Sequence, residues 1–255
     1  MKYLLFTLST FILISCQNET ETAQQIQQQI LKITESESTT DIDNQTNQLT
    51  AVYVENAIKA DEDGSIFHNQ YEIMAYYEKN NLTINSLKGI KSVFAGQEDN
   101  FEYEISQFEN EDRQLFKQLV ISDLSEQPKK RTFEFIAKAN SSKDIVGVIN
   151  NRRDEWVYWC NQHNAADLIE EMYTENTIYY NHKPVIVGHE DLAVEYQYMN
   201  NKKYELFLEP IIVEVVQDDL VYEIGQCSGT YGGKYILIWQ KGNDDVWRVL
   251  VDSNI

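Results

Sequence analysis

From Asp144 to Asn254 the spacing of apolar residues passes from a period of three to four to a period of two, and this constrains the chain most. Ile145, Val148, Ile149, Trp156, Trp159, Cys160 and His163 recur at threes and fours, which predicts a helix with one buried face. Asn164 ends it, and a second short helix is expected over Ala166–Tyr173 with Leu168, Ile169, Met172 and Tyr173 inward. Ile178-Tyr179-Tyr180 reads as a short strand and Gly188 precedes a third helix over His189–Met199. Four strands follow, at Tyr204–Val216, Leu220–Tyr231, Lys234–Lys241 and Val246–Asp252. Gln217-Asp218-Asp219, Gly232-Gly233 and Gly242-Asn243-Asp244-Asp245 supply the hairpin turns between them. Helices followed by a twisted run of long strands make an α+β cone around a cavity.

The first half carries a fainter version of the same text. AYYEKNNLTIN at 75–85 lies on EMYTENTIYYN at 171–181 without a gap, placing Tyr77 on Tyr173 and Asn85 on Asn181. Gly89 then meets Gly188, FEYEI at 101–105 meets YELFL at 204–208, and FEFIAKAN at 133–140 meets YILIWQKG at 235–242. This order predicts a duplication in which the first copy lacks the Trp-Arg ending. Ile145–Ile149 either closes the first copy as a strand or opens the second as a helix. The expected organisation is 48–144 for the divergent copy and 145–255 for the clearer one.

Ahead of both copies, Lys2 precedes the apolar run Tyr3–Ile14, which ends in Leu13-Ile14-Ser15-Cys16. About a dozen residues of helix span roughly 18 Å, too short for a bilayer core of about 30 Å. The pattern reads as a signal peptide over 1–15. Its last four residues resemble the lipobox of bacterial lipoproteins, which implies cleavage before Cys16 and lipid attached to its sulfur. Residues 16–47, rich in Gln, Thr, Glu, Ser and Asn, are expected to form a flexible tether. The address this implies is the bacterial cell envelope, with the outer membrane favoured because Gln17 is not Asp. Beyond Cys16 the chain has Cys160 and Cys227, either two free thiols or one bridge.

The net charge of −20 leaves no basic stripe for phosphates, so nucleic acid is excluded as a partner. No metal-ligand spacing, phosphate-cradling glycine loop or nucleophile elbow is present, and no cofactor is expected.

Ala166-Asp167-Leu168 through Tyr173, Gly188-His189-Glu190 and Trp247-Arg248-Val249 together resemble the SnoaL-like branch of the nuclear transport factor 2-like superfamily. The match covers Asn150–Asn254 and, more faintly, 48–144. The resemblance implies a cone-shaped α+β fold in which a curved mixed, largely antiparallel sheet wraps on N-terminal helices, here in two tandem copies. Family members span isomerases, cyclases, dehydratases, hydrolases and proteins with no activity assigned, so fold does not settle function. Ketosteroid-isomerase-like members carry a general-base carboxylate where this chain has Asn181, and an amide cannot abstract a proton. They also carry a protonated carboxyl on a late central strand, whereas 234–241 holds neither Asp nor Glu.

Three readings stay open at this point. The first is a non-catalytic, lipid-anchored binding or interaction module. Its small hydrophobic ligand would be held by Trp156, Trp159, Tyr180, Asn181 and Arg248, and its two copies would pack as an internal pseudo-dimer or a homodimer. The second is a cyclase, dehydratase or hydrolase built on a His182–Asp252 couple, with Asp252 and Arg248 on one strand face. The third is a structural envelope protein with Trp and Tyr plugging the cone.

Overall fold

The computed structural model describes residues 52–80, 82, 84, 86–95, 100–141, 143–181 and 183–254. The signal, Cys16, the tether, Asn85 and His182 lie outside the described residues. The first unit runs β1 (Tyr53–Ala60), β2 (Ile66–His68), α1 (Asn69–Lys79), β3 (Ser86–Ala95), β4 (Phe101–Glu109), β5 (Leu115–Asp123) and β6 (Lys130–Lys138). The second runs α2 (Val146–Cys160), α3 (Ala165–Met172), β7 (Tyr173–Tyr179), β8 (Ile186–Val187) and α4 (His189–Glu195), with a 3₁₀ turn over Tyr196–Asn200. It ends in β9 (Leu206–Gln217), β10 (Leu220–Gly229), β11 (Gly233–Lys241) and β12 (Trp247–Asn254).

The two six-stranded sheets have one topology. Their orders are β2-β1-β6-β5-β4-β3 and β8-β7-β12-β11-β10-β9. In each, the first strand runs parallel to the last and every other pairing is antiparallel. The fold is therefore α+β, with two copies of one architecture in tandem.

Register corrects the internal alignment. Ile58 pairs with Phe133 and Lys59 with Glu134, while Ile178 pairs with Val251 and Tyr179 with Asp252. Before the same register shift, Tyr53 pairs with Arg131 and Tyr173 with Val249. YVENAI at 53–58 thus lies on YTENTI at 173–178, with the tyrosine, glutamate, asparagine and isoleucine shared. Residues 75–85, which were matched to that strand, instead begin inside α1. The counterpart of Gly188 (φ 84°) is Asn69 (φ 71°), since both sit in the left-handed region where the short strand gives way to a helix; Gly89 lies within β3. FEYEI falls in β4, the counterpart of β10, and FEFIAK in β6, the counterpart of β12. The first copy ends in β6 (KRTFEFIAK), a final strand without the Trp-Arg pair. Ile145–Ile149 opens α2.

The packing explains why the strand sequences read as continuous apolar runs. Ile58, Tyr103, Phe133 and Phe135 of the first sheet join Ile178, Tyr180, Tyr222, Ile238 and Val251 of the second in one core between the sheets. Phe133 stacks on Tyr180 at 5.2 Å and Phe135 meets Tyr222 edge-on at 5.8 Å. Helices α2, α3 and α4 cover the opposite face of the second sheet through Trp156, Leu168, Ile169 and Leu192, and α1 covers the first through Ile73 and Tyr77. Central strands are consequently buried on both faces, and Tyr235–Trp239 has no polar alternation. Polar bonds stitch the rim. Gln217 Nε2 donates to Glu62 Oε2 at 2.9 Å, Gln240 Nε2 to the Glu62 carbonyl at 2.8 Å, and Lys117 Nζ to the Val215 carbonyl at 2.6 Å.

Candidate functional site

In the second cone the polar centre is Asp252, which is 3 % exposed on β12. The register shift between Val249 and Val251 reverses side-chain parity there, so Trp247 and Val249 face the helices while Leu250 and Val251 face the other sheet. Asp252 then returns to the helix side, where Tyr173 and Tyr196 each donate to its Oδ2 at 2.6 Å. Trp156 Nε1 in turn donates to the Tyr173 hydroxyl at 3.0 Å. Burial pushes the Asp252 carboxyl up to about 6, against the pull of the two tyrosine hydrogen bonds. The interior is thus occupied by aromatic rings closed around a carboxyl.

A second buried carboxylate, Glu223 on β10, is fully charge-matched. Arg153 of α2 binds both its oxygens, Tyr235 donates to Oε1 at 2.7 Å and Trp239 Nε1 to Oε2 at 2.9 Å. Tyr235 reaches across the strand because its partner residue is Gly225; a Cβ there would overlap its ring.

The first unit repeats the tyrosine–carboxylate pair at matching positions. Tyr53 donates to Glu134 Oε2 at 3.0 Å, as Tyr173 does to Asp252, and Tyr77 of α1 donates to Oε1 at 2.9 Å. Here two cations are added: Arg131 Nη1 at 2.8 Å from Oε2 and Lys59 Nζ at 3.5 Å from Oε1. Burial alone would raise Glu134, but Lys59, Arg131 and the tyrosine bond outweigh it and hold the carboxylate below its ordinary range.

The residues expected to share one apolar pocket do not meet. Trp156 is sealed in the core, Trp159 is half-buried beside Tyr158, and Tyr180 faces the other sheet. Asn181 Nδ2 lies 3.3 Å from the Tyr179 hydroxyl and 3.5 Å from Glu195 Oε1, a donor's position. Arg248 pairs with Asp244 in the preceding turn at 2.9 Å rather than with Asp252, because the bulge puts the two on opposite faces. Cys160 and Cys227 are free thiols. Burial pushes Cys160 up to about 12, which disfavours its thiolate. Glu134, Lys59, Arg153, Glu223 and Tyr196 were not singled out by sequence, and Tyr173 was read only as an inward-facing residue. A charged residue alone inside an apolar strand, as in Phe133-Glu134-Phe135 and Tyr222-Glu223-Ile224, was the signal available.

One open concavity of the second unit borders its helix-side core, with Ile169 and Tyr173 in the wall. It is a groove of about 1010 Å³ between α3, β7, α4 and the β11–β12 turn. Glu170, Glu175, Glu190 and Asp244 line it, with His189 and Arg248 as the basic groups. His189 Nε2 sits 2.9 Å from the Thr174 carbonyl and fixes α4 to β7. Arg248 is spent on Asp244, whose carboxyl is held low by the Val246 amide and that guanidinium.

No protein-family model matches the chain, and no curated protein does either. Several solved structures are similar to part of it. A ketosteroid isomerase-like protein from Erwinia carotovora atroseptica matches at 14% identity and TM-score 0.35, over 44% of this chain and 95% of that one. An NTF-2 like protein of unknown function from Shewanella oneidensis matches at 16% identity and TM-score 0.34, over 43% and 93%. A putative calcium/calmodulin dependent protein kinase II association domain from Xanthomonas campestris matches at 14% identity and TM-score 0.36, over 47% and 93%. None of these values carries a functional assignment.

Proposed function

We propose that the chain is a lipid-anchored, tandem nuclear transport factor 2-like interaction module whose second unit binds a partner without transforming it. The observation that carries this reading is the enclosure of the polar centre of the second unit: Trp156, Tyr173 and Tyr196 are buried in one hydrogen-bonded chain, and the Asp252 carboxyl at its end is 3 % exposed. Proton transfer to a substrate needs an acid or base within hydrogen-bond reach of it, and Asp252 offers its reach to two tyrosines. The matching Tyr–carboxylate pairs and the shared YxENxI strand support an origin by duplication, with the sheet faces packed as an internal pseudo-dimer.

In this reading the partner docks in the open groove. Four carboxylates face one committed arginine and one histidine there, so a cationic partner fits better than the small hydrophobic ligand expected from composition. Tetralysine or spermine should bind to the full chain by calorimetry, more weakly as salt is raised. Replacing Glu175 and Glu190 together by glutamine should weaken binding about tenfold, since exposed pairs contribute about 0.2–1 kcal/mol each. Absence of cation binding, with a thermal shift by hydrophobic acids instead, would defeat the groove reading and restore the apolar one.

The anchor rests on Leu13-Ile14-Ser15-Cys16. Cells fed labelled palmitate should incorporate the label into this protein and not into Cys16→Ser, with the wild type fractionating with outer membrane. Equal label in both would remove the lipid from the account.

A further inference from the structure

Lys59 is 0 % exposed, and among the described residues its Nζ has no partner closer than the 3.5 Å ion pair to Glu134. Around it stand Glu134 Oε1 at 3.5 Å, the Tyr76 ring at 4.3 Å and the Tyr77 ring at 5.8 Å. Asp61 attracts it and Arg131 repels it from further away. Glu134 already accepts from Tyr53, Tyr77 and Arg131, so the guanidinium matches its charge and Lys59 is the second cation on one carboxylate. A buried ammonium held only by one long ion pair and an aromatic face is costly. Burial draws Lys59 below the ordinary lysine range, against Glu134 and Asp61, so the ion pair of this lysine exchanges with the free amine more readily than an exposed ammonium does.

Its position is informative as well. Lys59 occupies on β1 the place that Tyr179 occupies on β7. The Tyr179 hydroxyl reaches the part-buried rim of its cone, where it meets Asn254 and Asn181. At the corresponding end of the first unit a pocket of about 260 Å³ opens, walled by Asp61, Glu62, Tyr76, Ile136 and Ala137. Lys59 is not in the pocket wall; Tyr76 is, and its ring lies against Nζ and separates the amine from the pocket.

We infer that Lys59 is a carbonyl-capturing amine, whose Nζ condenses with a small neutral aldehyde entering through this pocket. The Nζ lone pair forms the C–N bond while the carbonyl π electrons move to oxygen. Glu134 carries the two nitrogen protons to that oxygen one after the other: the first gives the carbinolamine, and the second lets the oxygen leave as water while the nitrogen lone pair closes the C=N bond, so the product is an imine with no oxidant or reductant consumed. The acid groups at the pocket wall disfavour an oxo acid, and the volume limits the guest to a few heavy atoms.

The test is reductive trapping on the folded full chain, with dilute acetaldehyde and cyanoborohydride at pH 7 and the rate read at each lysine by peptide mass spectrometry. Ordinary lysines, with pKa about 10.4, are almost wholly protonated at that pH. Lys59 should be ethylated at least about tenfold faster than the exposed Lys143 and Lys183. A rate at Lys59 equal to or below theirs overturns the inference. Tyr76→Ala should raise the Lys59 rate further, and an unchanged rate overturns the pocket as the route. Either failure leaves the groove of the second unit untouched, because different residues and a different readout carry that reading.

Discussion

Glu134→Leu is expected to destabilise the first unit by about 3–5 kcal/mol, the loss typical of breaking a buried ion pair from one side. The leucine would leave Arg131 and Lys59 buried at 4 % and 0 % exposure with no counter-charge, and would orphan the Tyr53 and Tyr77 hydroxyls. Urea denaturation followed by fluorescence measures it. The double variant Glu134→Leu with Lys59→Met should recover part of the loss by removing one stranded cation. A cost below about 1 kcal/mol for Glu134→Leu alone would mean that water reaches the cluster, contrary to its burial.

Asp252→Asn should show a stability difference from wild type that depends on pH. The carboxyl rises from 3.8 to about 6 on folding, so its contribution is fully present below pH 4 and is lost as pH climbs through 6. Two pH units correspond to about 3 kcal/mol at about 1.4 kcal/mol per unit. Wild type should therefore lose about that much stability relative to Asp252→Asn between pH 4 and pH 8, because the amide keeps an acceptor for Tyr173 and Tyr196 without ionising. Thermal melts of both proteins across this range test it. Parallel curves would show that the carboxyl titrates in the folded chain as it does unfolded, and would reopen the second cone as a hydrated site.

Local chemistry made much of the second unit readable. Asn164 caps α3 by accepting from the Asp167 amide at 3.4 Å, and Gly188 takes the positive φ that the turn into α4 requires. Both elements were expected where they stand, and so were the four long strands. The duplication was legible too, but in a different register from the one chosen. YVENAI and YTENTI share four of six letters at 53–58 and 173–178, whereas the helical residues of α1 resemble a strand only as text. A strand is defined by its neighbour, and the neighbour of β1 lies at the far end of the unit, on β6.

The site was less legible for the same reason. Asp252 was named from sequence as the partner of His182, which lies outside the described residues, with Arg248 on the same strand parity. One extra residue in β12 reversed that parity and delivered the carboxyl to Tyr173 and Tyr196 instead.

Composition and periodicity alone determined the element types, the caps, the acidic surface and the α+β class, because these depend on interactions within a few residues. The facing of the two sheets, the bulge that aims Asp252 inward and the crowding of two cations onto Glu134 were decided only in three dimensions. They arise from parallel pairing between strands some seventy residues apart, where side-chain direction alternates at every step and a single insertion exchanges the core face for its opposite.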